Sequence, residues 1–188
     1  MKGIPAFLAL AILLPALAAP AEPKVLWKLE KSQVSYVVTH PLHVVHGKTA
    51  SARGKGVSYG GHGEFLVAVP VKSFDSGDEN RDLHMLEVTR AGDHPLIEVR
   101  IRLKKLDISL HPNVLLADLS VKFAGRTVEY PGVRLETKEW TSQSVRVIGR
   151  LSLSLKAYGI KPPSLLTMPV EDEVPVQIDM VWAKSVAQ

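Results

Sequence analysis

Apolar residues recur at every second position along most of the chain, which is the period of a half-buried β-strand. In QVSYVVT, Val34, Tyr36 and Val38 share a face opposite Ser35 and Thr39. GEFLVAVPVKSF aligns Phe65, Val67, Val69 and Val71. LIEVRIRLKKL sets Ile97, Val99, Ile101 and Leu103 against Glu98, Arg100, Arg102 and Lys104. SVRVIGRLSLSL gives Val145, Val147, Leu151, Leu153 and Leu155 opposite Arg146, Arg150, Ser152 and Ser154. VPVQIDMVW places Val174, Val176, Ile178 and Met180 against Gln177 and Asp179. Weaker strands are expected at Lys48–Ser58, Val114–Phe123 and Thr127–Leu135.

About eight strands result, separated by turn residues such as GG, HPN and AGR. A sheet that is wet on one side and dry on the other is antiparallel. Eight such strands must bury one continuous apolar face, by closing into a barrel or folding into a sandwich. An eight-stranded barrel has an interior that side chains just fill, or that holds one small ligand. One segment breaks the period. DENRDLHMLEVTRAGDHP offers Asp78 or Asn80 as an N-cap, acidic residues in a first turn, and Gly92 then Pro95 beyond a stop. A short helix over Glu79–Ala91, lying across a barrel end, is expected. KAYGIKPPSLL is a second irregular segment, ended by Pro162 and Pro163.

The first residues carry a different pattern. Lys2 precedes an apolar run from Phe7 to Leu17, and Ala16-Leu17-Ala18 reads as an A-x-A cleavage site. The run is broken by Pro15 and falls short of the roughly 20 apolar residues a membrane span needs. Residues 1–21 are therefore expected to be a signal peptide, cleaved between 18 and 22, that delivers residues 22–188 to a bacterial periplasm without a stable membrane anchor. The chain has no cysteine, which excludes disulfides, cysteine-based metal sites, covalent haem attachment and a cysteine nucleophile. A net charge of +4 mainly serves solubility. The basic residues are scattered and lack an aromatic stacking motif, so no nucleic-acid partner is expected.

Candidate chemistry is sparse. GVSYG, Gly56–Gly60, matches the G-x-S-x-G pattern of serine hydrolases, but a strand rather than the required helix follows Ser58. DSGDENRD, Asp75–Asp82, lacks the ligand spacing of an EF-hand and reads as a turn and helix cap. Three of the seven histidines crowd into HPLHVVHG, as His40, His43 and His46. On a continuous strand His43 would point away from His40 and His46, leaving at most two convergent ligands where zinc needs three or four. Pro41 lacks an N–H and breaks the strand, so the orientations of His43 and His46 are not fixed by the pattern.

Taken in order, the quoted segments carry a resemblance. The run from Trp27 to Trp182 resembles the YceI-like family through SQVSYVVTH with Gly47 after it, SFDSGDENRDLHM, DHP at Asp93–Pro95, LSVKFAGRTVEYP, and the closing GRLSLSLKAYGIKPPSLLTMPVEDEVPVQIDMVW. The chain departs from the family in a shorter, less aromatic MLEVTRAGDHP segment and in Ser76, where a threonine is usual. The resemblance implies an exported all-β protein, an antiparallel eight-stranded lipocalin-like barrel with one short helix over an end. Some members bind polyisoprenoid or other long-chain amphiphiles.

Combined with the alternation, it makes Tyr36, Val38, Phe65, Val67, Val99, Ile101, Val121, Leu151 and Leu153 the expected ligand lining, with His40 and His84 as polar rim. The function it implies is non-enzymatic carriage of an isoprenoid, quinone or fatty-acid-like lipid, with no catalytic residue, metal or cofactor, and with a homodimer left open. HPLHVVHG then reads as a strand-end connection, His40 closing the first strand and Gly47 opening the second. Two other readings stay open: a histidine-dependent metal protein or enzyme using His40, His43 and His46, and a surface-acting stress-response or partner module whose core is filled.

Overall fold

The computed structural model describes residues 24–106, 110–162, 164–165 and 168–185. The leader read in residues 1–21, with its cleavage region, lies outside them. The chain forms β1 (Val25–His40), β2 (His43–Thr49), β3 (Arg53–Tyr59), β4 (His62–Pro70), a 3-10 turn (Val71–Ser73), α1 (Glu79–Val88), β5 (Leu96–Lys104), β6 (Val114–Phe123), β7 (Arg126–Lys138), β8 (Ser144–Ser154), β9 (Ser164–Leu165), β10 (Met168–Pro169) and β11 (Glu173–Ser185). Strands β3 to β8 pair antiparallel in sequence order, and β11 follows β8. The sixteen-residue β1 closes the ring, pairing β11 along one edge and β3 along the other. The result is a closed eight-stranded antiparallel barrel with a single α-helix among the described residues.

Two expectations are corrected. The strand expected over Lys48–Ser58 is two strands. Both run against β1, β2 along Val34–His40 and β3 along Val25–Lys28, with a break at residues 50–52. Ser32 marks the break by donating its hydroxyl to the Ala50 carbonyl at 3.1 Å, near a register shift between Leu29 and Lys31 in the β1–β11 pairing. The second strand also starts earlier than Gly47. Pro41 and Leu42 form a two-residue turn, and His40 pairs directly with His43 across the hairpin.

The helix forms where its caps dictate. The Asp78 carboxylate accepts the Arg81 N–H at 3.0 Å, which fixes the N-terminus. It ends earlier than Ala91, because the Thr89 hydroxyl donates back to the Met85 carbonyl at 2.7 Å and Arg90 turns left-handed at φ 55°. Arg90 also donates to the Ala124 carbonyl, tying the helix exit to the β6–β7 turn.

Register aligns the apolar face into rows. Val99 lies between Val67 and Val121, and Ile101 between Phe65 and Leu119. The opposite face carries Arg100, Arg102 and Lys104 outward, with surface pairs such as Lys104–Asp118 at 3.0 Å. One end of the barrel is closed by a packed floor. The Trp27 indole donates to Ser58 Oγ at 2.9 Å, and Phe65 meets Trp182 edge-on with ring centroids 5.0 Å apart. Phe65 also crosses over Gly56, where a Cβ would come within 2.1 Å of its ring. A residue without a side chain is what that close approach needs. Gly56 and Ser58 of the G-x-S-x-G pattern thus sit on β3 as floor, with Ser58 engaged by tryptophan.

Candidate functional site

The inward face is mostly apolar in sequence but not uniformly packed. On β5, Leu103 and Ile101 are buried while Val99 and Ile97 on the same face are only half-buried. On β8 the same change separates Val145 and Val147 from Leu151 and Leu153, and on β11 it separates Trp182 and Met180 from Val176. Inward side chains in the middle of closed-barrel strands that keep exposed surface must face a void. That void is a chamber of about 440 Å³ in the half of the barrel away from the tryptophan floor. It lies within the range of roughly 300–1,000 Å³ typical of ligand pockets.

Eight of the nine residues expected as lining border this chamber: Tyr36, Val38, Val67, Val99, Ile101, Val121, Leu151 and Leu153. Phe65 does not. It borders a void of about 50 Å³ beneath, among Trp27, Trp140 and Trp182, because it lies one step nearer the floor along β4 than Val67. His40 and His84 both border the chamber, so the β1–β2 hairpin and α1 are brought together over it.

His43 borders it as well, an orientation that the break at Pro41 left open in the sequence. Only a continuous strand would have turned it away from His40. Across a two-residue hairpin turn, residues directly opposite each other project to the same face, and the two imidazoles lie with centroids 4.9 Å apart. His46, three residues on, is exposed and does not line the chamber. Among the described residues no group of three or more His, Asp or Glu side chains could hold a metal ion.

Arg81, Met85 and Val88 also border the chamber and were not foreseen. With His84 they recur three and four residues apart, which puts them on one face of α1. A helix expected to lie across a barrel end already contains that signal. Tyr36 is held over Gly47, its cross-strand partner, where a Cβ would come within 2.3 Å of the phenol ring. It also packs on Phe74 at 5.4 Å. Burial, and then the nearby Asp82 charge, push the Tyr36 hydroxyl above its ordinary pKa, with Arg81 acting in the opposite direction. Tyr36 is therefore a neutral donor at any physiological pH.

His40 is buried, and its Nδ1 accepts the Leu42 N–H at 3.1 Å, so a neutral ring carries its proton on Nε2. Beneath the opposite wall, Tyr158 shares a hydroxyl–hydroxyl contact with Tyr130 at 3.2 Å and donates to the Val121 carbonyl at 3.4 Å.

Fold and chamber together define a lipocalin-like barrel that is solid at one end, hollow at the other, and helix-covered over the hollow. The chain belongs to the YceI-like domain family, whose model matches residues 27–182. Solved structures with this fold include a polyisoprenoid binding domain from Saccharophagus degradans, with a TM-score of 0.69, 12% identity, and coverage of 85% of this chain and 98% of that one. BcnA of Burkholderia cenocepacia has a TM-score of 0.65 and 16% identity over 80% of this chain and 95% of its own. The Campylobacter jejuni YceI protein has a TM-score of 0.53 and 11% identity over the full length of both chains. No curated protein matches the sequence.

Proposed function

We propose that the chain is a non-enzymatic periplasmic binding protein and carrier for a long-chain amphiphile, a polyisoprenoid, quinone or fatty-acid-like lipid held in the barrel. The observation that carries this reading is the chamber itself. It offers about 440 Å³ walled by Val, Ile and Leu, with its polar side chains gathered on the hairpin and helix that cover it. An apolar tail is the occupant such walls favour, since each methylene taken from water contributes about 0.8 kcal/mol. The likeness to a polyisoprenoid binding domain supports the same class of ligand.

A series of amphiphiles differing only in tail length tests it, by displacement of a fluorescent alkyl probe from delipidated protein. Affinity should rise about fourfold per methylene and level off once the chamber is full. Affinity that is independent of tail length would overturn the proposal.

A further inference from the structure

Sorting the chamber's polar groups by charge and by partner narrows the ligand further. The side chains in question are Tyr36, His40 and His43 on the hairpin and Arg81, His84 and Thr89 on or beside α1. Among the described residues no carboxylate and no amide side chain lines the chamber. Among them Arg81 is its one permanently charged residue, and that charge has no ion-pair partner there. Its guanidinium donates through Nη2 to the Ser76 carbonyl at 3.0 Å and through Nε to Ser76 Oγ at 3.5 Å, both neutral acceptors. The Tyr36 hydroxyl makes no hydrogen bond with the described residues; burial and the Asp82 charge act on it more strongly than the opposing Arg81 charge. The exposed His43 ring stacks on His40.

Three carboxylates lie near. Asp78 accepts the Arg81 backbone N–H at 3.0 Å, Asp82 accepts the Ser76 N–H at 3.1 and 3.3 Å, and Glu87 sits 3.7 Å from His84 on the exposed side of the helix. None of them lines the chamber.

A cationic head group would find no counter-charge in this lining. A neutral one would leave the charge of the exposed Arg81 side chain to solvent and the two neutral Ser76 acceptors. An anionic oxygen head group matches all the open donors, because a guanidinium pairs with carboxylate or phosphate through charge-assisted, often bidentate hydrogen bonds. We propose that the chamber selects amphiphiles with an anionic head, a carboxylate or a phosphate monoester, bound by Arg81 with Tyr36 and His43 as further donors. This rests on the reading of the chamber as an amphiphile site. It adds that the head group, and not the tail alone, is chosen.

The test uses one sixteen-carbon tail carrying five heads: hexadecanoic acid, hexadecyl phosphate, hexadecanol, methyl hexadecanoate and hexadecyltrimethylammonium. Each competes against a fluorescent alkyl probe on the delipidated protein. The acid, the phosphate or both should bind about tenfold or more tighter than the alcohol and ester, with the ammonium weakest. Whichever of the two anions binds more tightly identifies the source of the head. In Arg81→Gln the ratio of anion to alcohol affinity should fall to within about threefold, and Arg81→Lys should restore part of it.

Equal binding of acid, phosphate and alcohol, or a preference that survives in Arg81→Gln, would overturn head-group selection while leaving the amphiphile reading intact. Failure of all five to bind would overturn both.

Discussion

Val99 stands at mid-height on β5, half-buried between Val67 and Val121, with its side chain toward the chamber. Replacing it with tryptophan adds about seven non-hydrogen atoms to a space of about 440 Å³. If an apolar tail occupies that space, an indole that displaces about four methylenes costs about 3 kcal/mol of binding. That is a loss of roughly two orders of magnitude in affinity. Folding should suffer little, because the ring enters a void and does not press on neighbours, and a change below about 1 kcal/mol is expected. The same substitution at Ala117, which is 0% exposed and lies on the packed interior of β6, has no void to enter. It should cost at least the 1–3 kcal/mol typical of overpacking. Probe displacement measures the first effect and urea denaturation the second. The hollow-barrel reasoning is refuted if Val99→Trp binds within about threefold of the unmodified protein, or if it destabilises as much as Ala117→Trp.

Further outcomes follow from the walls and the outer surface. Gly47→Ala sets a methyl against the Tyr36 ring and should destabilise by about 1–3 kcal/mol while weakening ligand binding, as read by thermal melting and probe displacement. Tyr158→Phe removes the hydroxyl that joins Tyr130 and the Val121 carbonyl, and should cost about 1 kcal/mol in urea unfolding. On the outside, Arg146 donates to both oxygens of Asp179 at 2.8 and 2.6 Å, which holds the Asp179 carboxyl below the usual carboxylate range. A depressed folded-state pKa stabilises above the unfolded value near 3.9 and is lost as pH falls through the folded value. Asp179→Asn should therefore be less stable than the unmodified protein at pH 7, and the gap should close as the pH falls from the unfolded value through the lower folded one. A gap that persists in acid would show that the ion pair is not its source.

Much of the barrel is legible in the chain because alternation survives wherever a strand separates water from a dry interior. Leu96–Lys104 is read directly, and even the weaker pattern of Val114–Phe123 places its strand. The split between β2 and β3 could not, since Lys48 to Ser58 alternates weakly and the break depends on Ser32 in a different strand. The chamber is the less legible part. Ile97 and Val99 look no different in sequence from Leu103, yet the first two border the chamber and Leu103 joins the packed floor, with Ile101 at the boundary of both. What separates them is the cross-section next to them, where Phe65, Trp27 and Trp182 fill one half of the barrel, whereas Tyr36, Phe74 and Phe123 border the other and leave it open. That also explains why Phe65 was grouped with the lining. The orientation of His43 is not legible in the sequence for a topological reason. A hairpin turn at Pro41–Leu42 restores to His40's face a residue that a straight strand would have turned away. Arg81, by contrast, was readable from helical spacing once α1 was placed over the barrel end.

Native mass spectrometry of the protein purified from its own source, followed by organic extraction, tests the carrier reading most directly. The expected result is one bound amphiphile per barrel, released by solvent and identified as a long-chain lipid. An unliganded mass from that source, together with a crystal structure whose interior is filled by side chains alone, would contradict it.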